Sequence, residues 1–204
     1  VRLAVLVSGS GTNLAALLRA IEADPSFGGE VVVVGSDRTD AGGLQLARDA
    51  GIATVVEQLG DHPDRGAWED ALVAELRVHQ PAAIVLAGFM KIVTSLLLDA
   101  WPDRVLNVHP SILPAFPGAH AVPEALAYGV KVTGLTVHLV DEQVDHGPII
   151  AQETVPVEPG DDEDSLHTRI QTLEHRLYPA CVRALCRGEL EVVGRQVHWT
   201  VPRP

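Results

Sequence analysis

The chain has 204 residues, 47% of them hydrophobic, a formal net charge of −12 and two cysteines. That length can bury a substantial core without disulfides, and no apolar run approaches the roughly 20 residues that a membrane-spanning helix requires. The acidic balance argues against a nucleic-acid partner, whose binding depends on dense Lys and Arg, but leaves room for a local anion site.

In chain order, residues 2–7 (RLAVLV) are predicted as a buried strand and 12–22 as a helix with apolar residues at helical spacing. The alternation repeats with a strand at 31–34, a helix at 41–50, a short strand at 54–56, a helix at 65–79 and a strand at 82–87. Strands that are apolar throughout and separated by helices imply an α/β fold with a parallel sheet covered on both faces. After the strand 105–108 the pattern changes. A short helix at 123–128, strands at 133–140 and 148–157, and a hairpin at 191–193 and 196–200 point to antiparallel additions. Between them, acidic residues 161–164 precede a long helix at 165–187, which Pro179 should bend and Gly188 can cap. Cys181 and Cys186 fall in this helix and read as reduced packing residues, which suits a cytoplasmic protein. The N-terminus opens on a strand rather than on a basic leader.

Three constellations could carry chemistry. The glycine loop VSGSGTN (7–13) follows a strand and opens a helix, so Gly9 and Gly11 let backbone N–H groups converge on an anion at the positive end of the helix dipole. A dinucleotide fingerprint would need its third glycine where Leu14 stands, and the Gly-Lys-Ser/Thr of a triphosphate loop is absent, so a monophosphate fits. A tight turn with Thr12 capping the helix is the alternative. Second, Asn107 and His109 lie two apart at a strand end and therefore share a face, followed by Pro110, Pro114 and Pro117, which forbid regular structure and can build a pocket wall. A histidine merely hydrogen-bonded at the strand end is the other reading. Third, the run 140–148 (VDEQVDHGP) brings carboxylates to a loop between two strands, either to reach a histidine or as a solvated turn. No G-x-S-x-G elbow and no His-Glu-x-x-His pair occurs, and His120, His138, His146 and His175 lack structural-metal spacing, so no metal is expected.

With these residues in hand, the chain resembles the phosphoribosylglycinamide formyltransferase family, the folate-dependent transferases of purine (IMP) synthesis. The resemblance rests on VSGSGTNL at the start, LAGFMKIV at 86–93, NVHPSILPAFPGAHA at 107–121, GLTVHLVDEQVDHGPII at 134–150 and QTLEHRLYP at 171–179, in that order. It implies a Rossmann-like formyltransferase fold, a mostly parallel sheet with helices on both faces. Residues 1–204 would form a single domain, its nucleotide-phosphate half at about 1–100 and its folate-binding and catalytic part at about 101–204. It implies direct transfer of the formyl group of 10-formyltetrahydrofolate to the amine of glycinamide ribonucleotide, with Asn107, His109 and Asp145 catalytic and no metal. Gly11, Thr12, Asn13, Gln171 and Glu174 match ribonucleotide contacts, for the last two of which the alternative is an exposed helix face. Arg65, Met90, Lys91, Ile92, Val93, Asn107, Val140, Asp141, Glu142, Gln143 and Val144 match the folate site. A cytoplasmic monomer or homodimer is expected, with neither nucleic acid nor membrane as partner. The related methionyl-tRNA formyltransferases and formyltetrahydrofolate hydrolases resemble it less, because their additional domains have no counterpart in the motifs found. A hydrolase on the same scaffold would need no phosphate anchor, and a non-catalytic nucleotide-binding module would leave Asn107, His109 and Asp145 without a purpose.

Overall fold

Residues 1–203 are described by the computed structural model, and they divide into two compact units, Val1–Leu106 and Asn107–Pro204. In the first, β1 (Arg2–Val7), β2 (Glu30–Ser36), β3 (Ala53–Val56) and β4 (Ala83–Leu86) pair in parallel in the order β3-β2-β1-β4. Leu3 to Val7 are each 0% exposed, which a strand achieves only when both faces are covered. Helices α1 (Thr12–Ala23), α2 (Gly42–Asp49) and α3 (Arg65–Val78) supply the cover. Leu6 meets Gly35 on the side of Leu72 and Leu76 of α3, whereas its neighbour Val7 packs on Gly43 of α2, as the strand period of two demands. A short α4 (Ser95–Leu98) follows, with Thr94 as its cap. Sequence periodicity missed it because four residues are too few to show a repeat.

The second unit begins inside β5 (Val105–His109) and contains α5 (Ala121–Tyr128), β6 (Val132–Leu139), β7 (Ile149–Pro156), α6 (Glu163–Cys186), β8 (Leu190–Val193) and β9 (Gln196–Trp199). β6 and β7 are antiparallel, β9 joins β7 in parallel, and β8–β9 is an antiparallel hairpin, giving the order β6-β7-β9-β8. Helix α6 starts two residues earlier than its apolar spacing suggests. The reason is a reciprocal cap: the Asp162 carboxylate accepts from Ser165 N–H at 2.9 Å while Ser165 Oγ accepts from Asp162 N–H at 3.0 Å. Pro179 lies within the helix without ending it. Cys181 and Cys186 are free, and burial pushes the Cys181 thiol well above its ordinary value. Among the described residues no helix is long and apolar enough to cross a membrane.

The proline segment after β5 is held by side chains as well as by its rings. Thr136, fully buried on β6, donates to the Ser111 carbonyl at 2.7 Å and accepts from Leu113 N–H at 3.1 Å. Gln152 of β7 donates to the Leu113 carbonyl at 2.9 Å and to Thr136 Oγ1 at 3.0 Å. Thr136→Val keeps the shape but strands the buried Leu113 N–H, so urea unfolding is expected to show a loss of about 1–3 kcal/mol. Thr136→Ser should retain most of the stability, and equal losses in both variants would show that the hydroxyl is not the staple.

Candidate active site

β5 brings Asn107 and His109 to one face because the intervening Val108 points the other way. His109 is 4% exposed, and its Nε2–H donates to the Phe116 carbonyl at 2.8 Å. Its Nδ1 faces Asp145 Oδ2 at 3.3 Å, and Gly118 N–H donates to the same oxygen at 2.8 Å. Both ring nitrogens of His109 therefore meet oxygen acceptors, a setting that the doubly protonated imidazolium satisfies at both ends. Asp145 Oδ1 lies 3.5 Å from Asn107 Nδ2 and 3.7 Å from His138 Nε2, the latter an ion-pair rather than a hydrogen-bond separation. His138 donates from Nδ1 to the Leu139 carbonyl at 2.8 Å, and its Nε2 lies 3.3 Å from Asn107 Nδ2.

Asp145 is the hub of this cluster. Burial, the largest single influence, pushes its carboxyl up, but the approach of His138, the Gly118 N–H and the charges of His109 and His138 together hold it below the ordinary carboxylate value. The loop that carries it turns sharply. Asp145 has φ 52°, a left-handed conformation uncommon outside glycine, and Phe116, which supplies the other acceptor for His109, has the same φ. Gly147 closes the loop so tightly that a Cβ there would run into the Leu139 carbonyl oxygen. A register shift between Val137 and His138 turns the end of β6 at the same place, which is where bulges serve to re-aim a side chain.

Sequence reasoning anticipated Asn107, His109 and Asp145 in one cluster and missed His138, whose place depends on that bulge and on a partner loop far along the chain. The same loop separates its acidic residues. Asp141 pairs with His146 Nδ1 at 2.7 Å and accepts from Gln143 N–H at 3.0 Å, while Glu142 and Gln143 are exposed. Val140 is half-buried and Val144 is 50% exposed.

In the first unit, Gly11 is the cap of α1, in the left-handed conformation with φ 80°, and no side chain caps the helix. Thr12 therefore stands at the first helical position, not as the cap considered above, with Asn13 after it. Gly11 is required by packing: a Cβ there would lie 2.6 Å from Gly43 Cα at the start of α2, and Gly43 N–H donates to the Gly9 carbonyl at 3.1 Å. A Cβ on Gly9 meets nothing within 4 Å. Buried Ser8 donates to Asp37 Oδ1 at 2.5 Å and accepts from Met90 N–H at 2.8 Å; Lys91 Nζ lies 3.6 Å from Asp37 Oδ2. Arg65, at the start of α3, donates to the Ile92 carbonyl at 3.1 Å and lies 5.7 Å from the Trp68 ring centre. Met90 and Ile92 stand 65% and 56% exposed while Val93 is buried. In the second unit, Gln171 and Glu174 lie one turn apart on α6, but Glu174 is 5% exposed, so the exposed-face alternative fails for it. Among the described residues no group of three or more His, Cys, Asp or Glu side chains is arranged to hold a metal ion.

A family model described as formyl transferase matches residues 1–182. A phosphoribosylglycinamide formyltransferase of Mycobacterium tuberculosis is 49% identical over 194 residues, covering 95% of this chain and 89% of that protein. A trifunctional purine biosynthetic protein adenosine-3 of Gallus gallus is 42% identical over 192 residues, 94% of this chain and 19% of its own length. The crystal structure of glycinamide ribonucleotide transformylase 1 from Symbiobacterium toebii superposes with a TM-score of 0.95 at 46% identity, covering 98% of this chain and 93% of that one.

The depressed Asp145 carboxyl has a consequence for stability. A group held below its ordinary value contributes stability above the ordinary carboxylate range and loses it as pH falls through the folded-state value. The stability gap between wild type and Asp145→Asn is therefore expected to be fully present above the ordinary carboxylate range and to close in acid, as urea titrations over a pH series would show. A gap independent of pH would mean that the ionised form is not what the cluster holds.

Proposed function

Because this chain belongs to the formyl transferase family, we propose that it transfers the formyl group of 10-formyltetrahydrofolate to the amine of glycinamide ribonucleotide, a step of purine synthesis. The single observation that carries the reading furthest is the buried Asn107–His109–Asp145 cluster, in which the imidazole faces a carboxylate from one nitrogen and a carbonyl from the other. The amine nitrogen attacks the formyl carbon, a C–N bond forms and the carbonyl electron pair moves to oxygen. The tetrahedral intermediate then expels the folate nitrogen, which takes up the proton that the attacking amine gives away. His109, charged and oriented by Asp145, stabilises the developing oxyanion, and Asp145 serves the proton path, with ordered water as the relay. The Asn107 amide is held only by long contacts of 3.3 and 3.5 Å, so its N–H is free to turn to the oxyanion.

The reading assigns the ribonucleotide to Gly11, Thr12, Asn13, Gln171 and Glu174. It assigns the folate to Arg65, to residues 90–93, to Asn107 and to residues 140–144. The exposed apolar side chains of Met90 and Ile92, close together in the first unit, support a flat apolar ligand, since it would cover surface that water otherwise meets. Residues 1–204 work as one formyltransferase domain in this reading, in the cytoplasm, as a monomer or homodimer without a metal.

Formyl transfer measured with both substrates tests the proposal directly; release of formate from the folate alone, unchanged by ribonucleotide, would replace it with a hydrolase. His109→Ala is expected to lower turnover by about 10²–10⁴-fold while leaving both ligands bound. Single-turnover transfer by Asp145→Asn should fall by about 10²-fold or more, and Asp141→Asn and Glu142→Gln should change it little. Similar small losses in all three would remove Asp145 from the mechanism. Gly9→Val, where the fold has room, should raise the Michaelis constant for the ribonucleotide and spare that for folate; equal rises would take the phosphate away from this loop.

A further inference from the structure

A buried acid that the reaction does not use lies in α3. Glu69 is 0% exposed, yet no cation pairs with it among the described residues. Both of its oxygens are taken by one residue: Thr94 N–H donates to Oε1 at 2.6 Å and Thr94 Oγ1 donates to Oε2 at 2.7 Å. Removing a carboxylate from water is costly, and two hydrogen bonds to a single threonine are a large commitment for a short loop. Thr94 ends the segment whose other end is fixed by the bond from Met90 N–H to Ser8 Oγ at 2.8 Å. Between these two anchors Arg65 holds the Ile92 carbonyl, Val93 turns inward, and Met90 and Ile92 are left facing solvent. Trp68, next to Glu69 on α3, stacks on Phe89 at the entrance to the same segment with ring centres 6.4 Å apart. A clamp on the backbone at Thr94 therefore fixes the direction of two apolar side chains that make no core of their own.

We propose that Glu69 is a positioning residue for the folate-holding segment 90–93, acting through Thr94; this rests on the assignment of that segment to the folate. Glu69 itself touches no substrate. Its loss would let the segment move and weaken folate binding, with little effect on the ribonucleotide or on the chemical step, which belongs to His109 and Asp145.

The test compares Glu69→Ala, Glu69→Gln, Thr94→Val and the double variant Glu69→Ala/Thr94→Val with wild type. The readouts are the Michaelis constants for 10-formyltetrahydrofolate and for glycinamide ribonucleotide, turnover, and calorimetric binding of tetrahydrofolate alone. Glu69→Ala and Thr94→Val should each raise the folate constant and the tetrahydrofolate dissociation constant about tenfold, the scale of a lost charge-assisted hydrogen bond. The ribonucleotide constant and saturated turnover should stay within about twofold. Glu69→Gln keeps an acceptor for Thr94 N–H and an amide against its hydroxyl, so it should recover part of the loss. The double variant should be no worse than Glu69→Ala, because that change already removes both bonds from residue 94, whereas Thr94→Val removes only the hydroxyl one. Should Glu69→Ala fail to fold, Thr94→Val and Glu69→Gln carry the test. An unchanged folate constant, equal rises for both substrates, or additive losses in the double variant would overturn the proposal. A wild-type chain that binds tetrahydrofolate but transfers no formyl group would sink the proposed function while the binding data still judged the clamp; one that binds no tetrahydrofolate would sink both.

Discussion

The second unit is organised around the difficulty of keeping one carboxylate out of water. Asp145 is largely buried, and an ion in that position persists only if donors and positive charge replace the solvent it has lost. Gly118 N–H, His109, His138 and Asn107 are those replacements. They come from three pieces of chain: the proline segment, the end of β5, which carries both Asn107 and His109, and the end of β6. Satisfying the carboxylate thus fixes the relative placement of three backbone segments, and the same contacts leave His109 with acceptors at both nitrogens. Stability and reactivity here have one origin.

The surrounding architecture serves that placement. Thr136 and Gln152 pin the proline segment, so that the Phe116 carbonyl and the Gly118 N–H are presented at fixed positions. Gly147 lets the acidic loop fold back on Leu139, and the unusual φ of Asp145 and Phe116 is sustained by the bonds these residues make. In the first unit the logic is similar but the donors are softer. Ser8 links Asp37 with the backbone of Met90, so the residue that opens the glycine loop also braces the segment 90–93.

Much of this was written in local pattern. The strands of the first unit are apolar throughout, and two residues at strand spacing were enough to put Asn107 and His109 on one face. Other features exist only after folding. His138 becomes a neighbour of Asp145 through a register shift that no periodicity encodes, and Glu69 looks like any helix-surface acid until Thr94 is brought against it. Glu174 hides in the same way on α6. The start of α6 was misplaced because the cap Asp162 uses a serine where a glutamate or glutamine is the usual sign. Asp145 itself was singled out from its acidic neighbours by family resemblance, since composition makes Asp141 and Glu142 equivalent to it.

The contact between Gly11 and Gly43 bears on how this chain could drift in evolution. A methyl group at position 43 would press on the Val7 side chain, 2.9 Å from its nearest carbon, which a smaller residue at position 7 could relieve. A methyl group at position 11 meets the backbone of α2 itself and carries a positive φ besides, so no neighbouring side chain can yield to it. The two glycines thus differ in epistasis: position 43 is conditionally open, its tolerance set by position 7, whereas position 11 is closed in every genetic background that keeps α2 where it is.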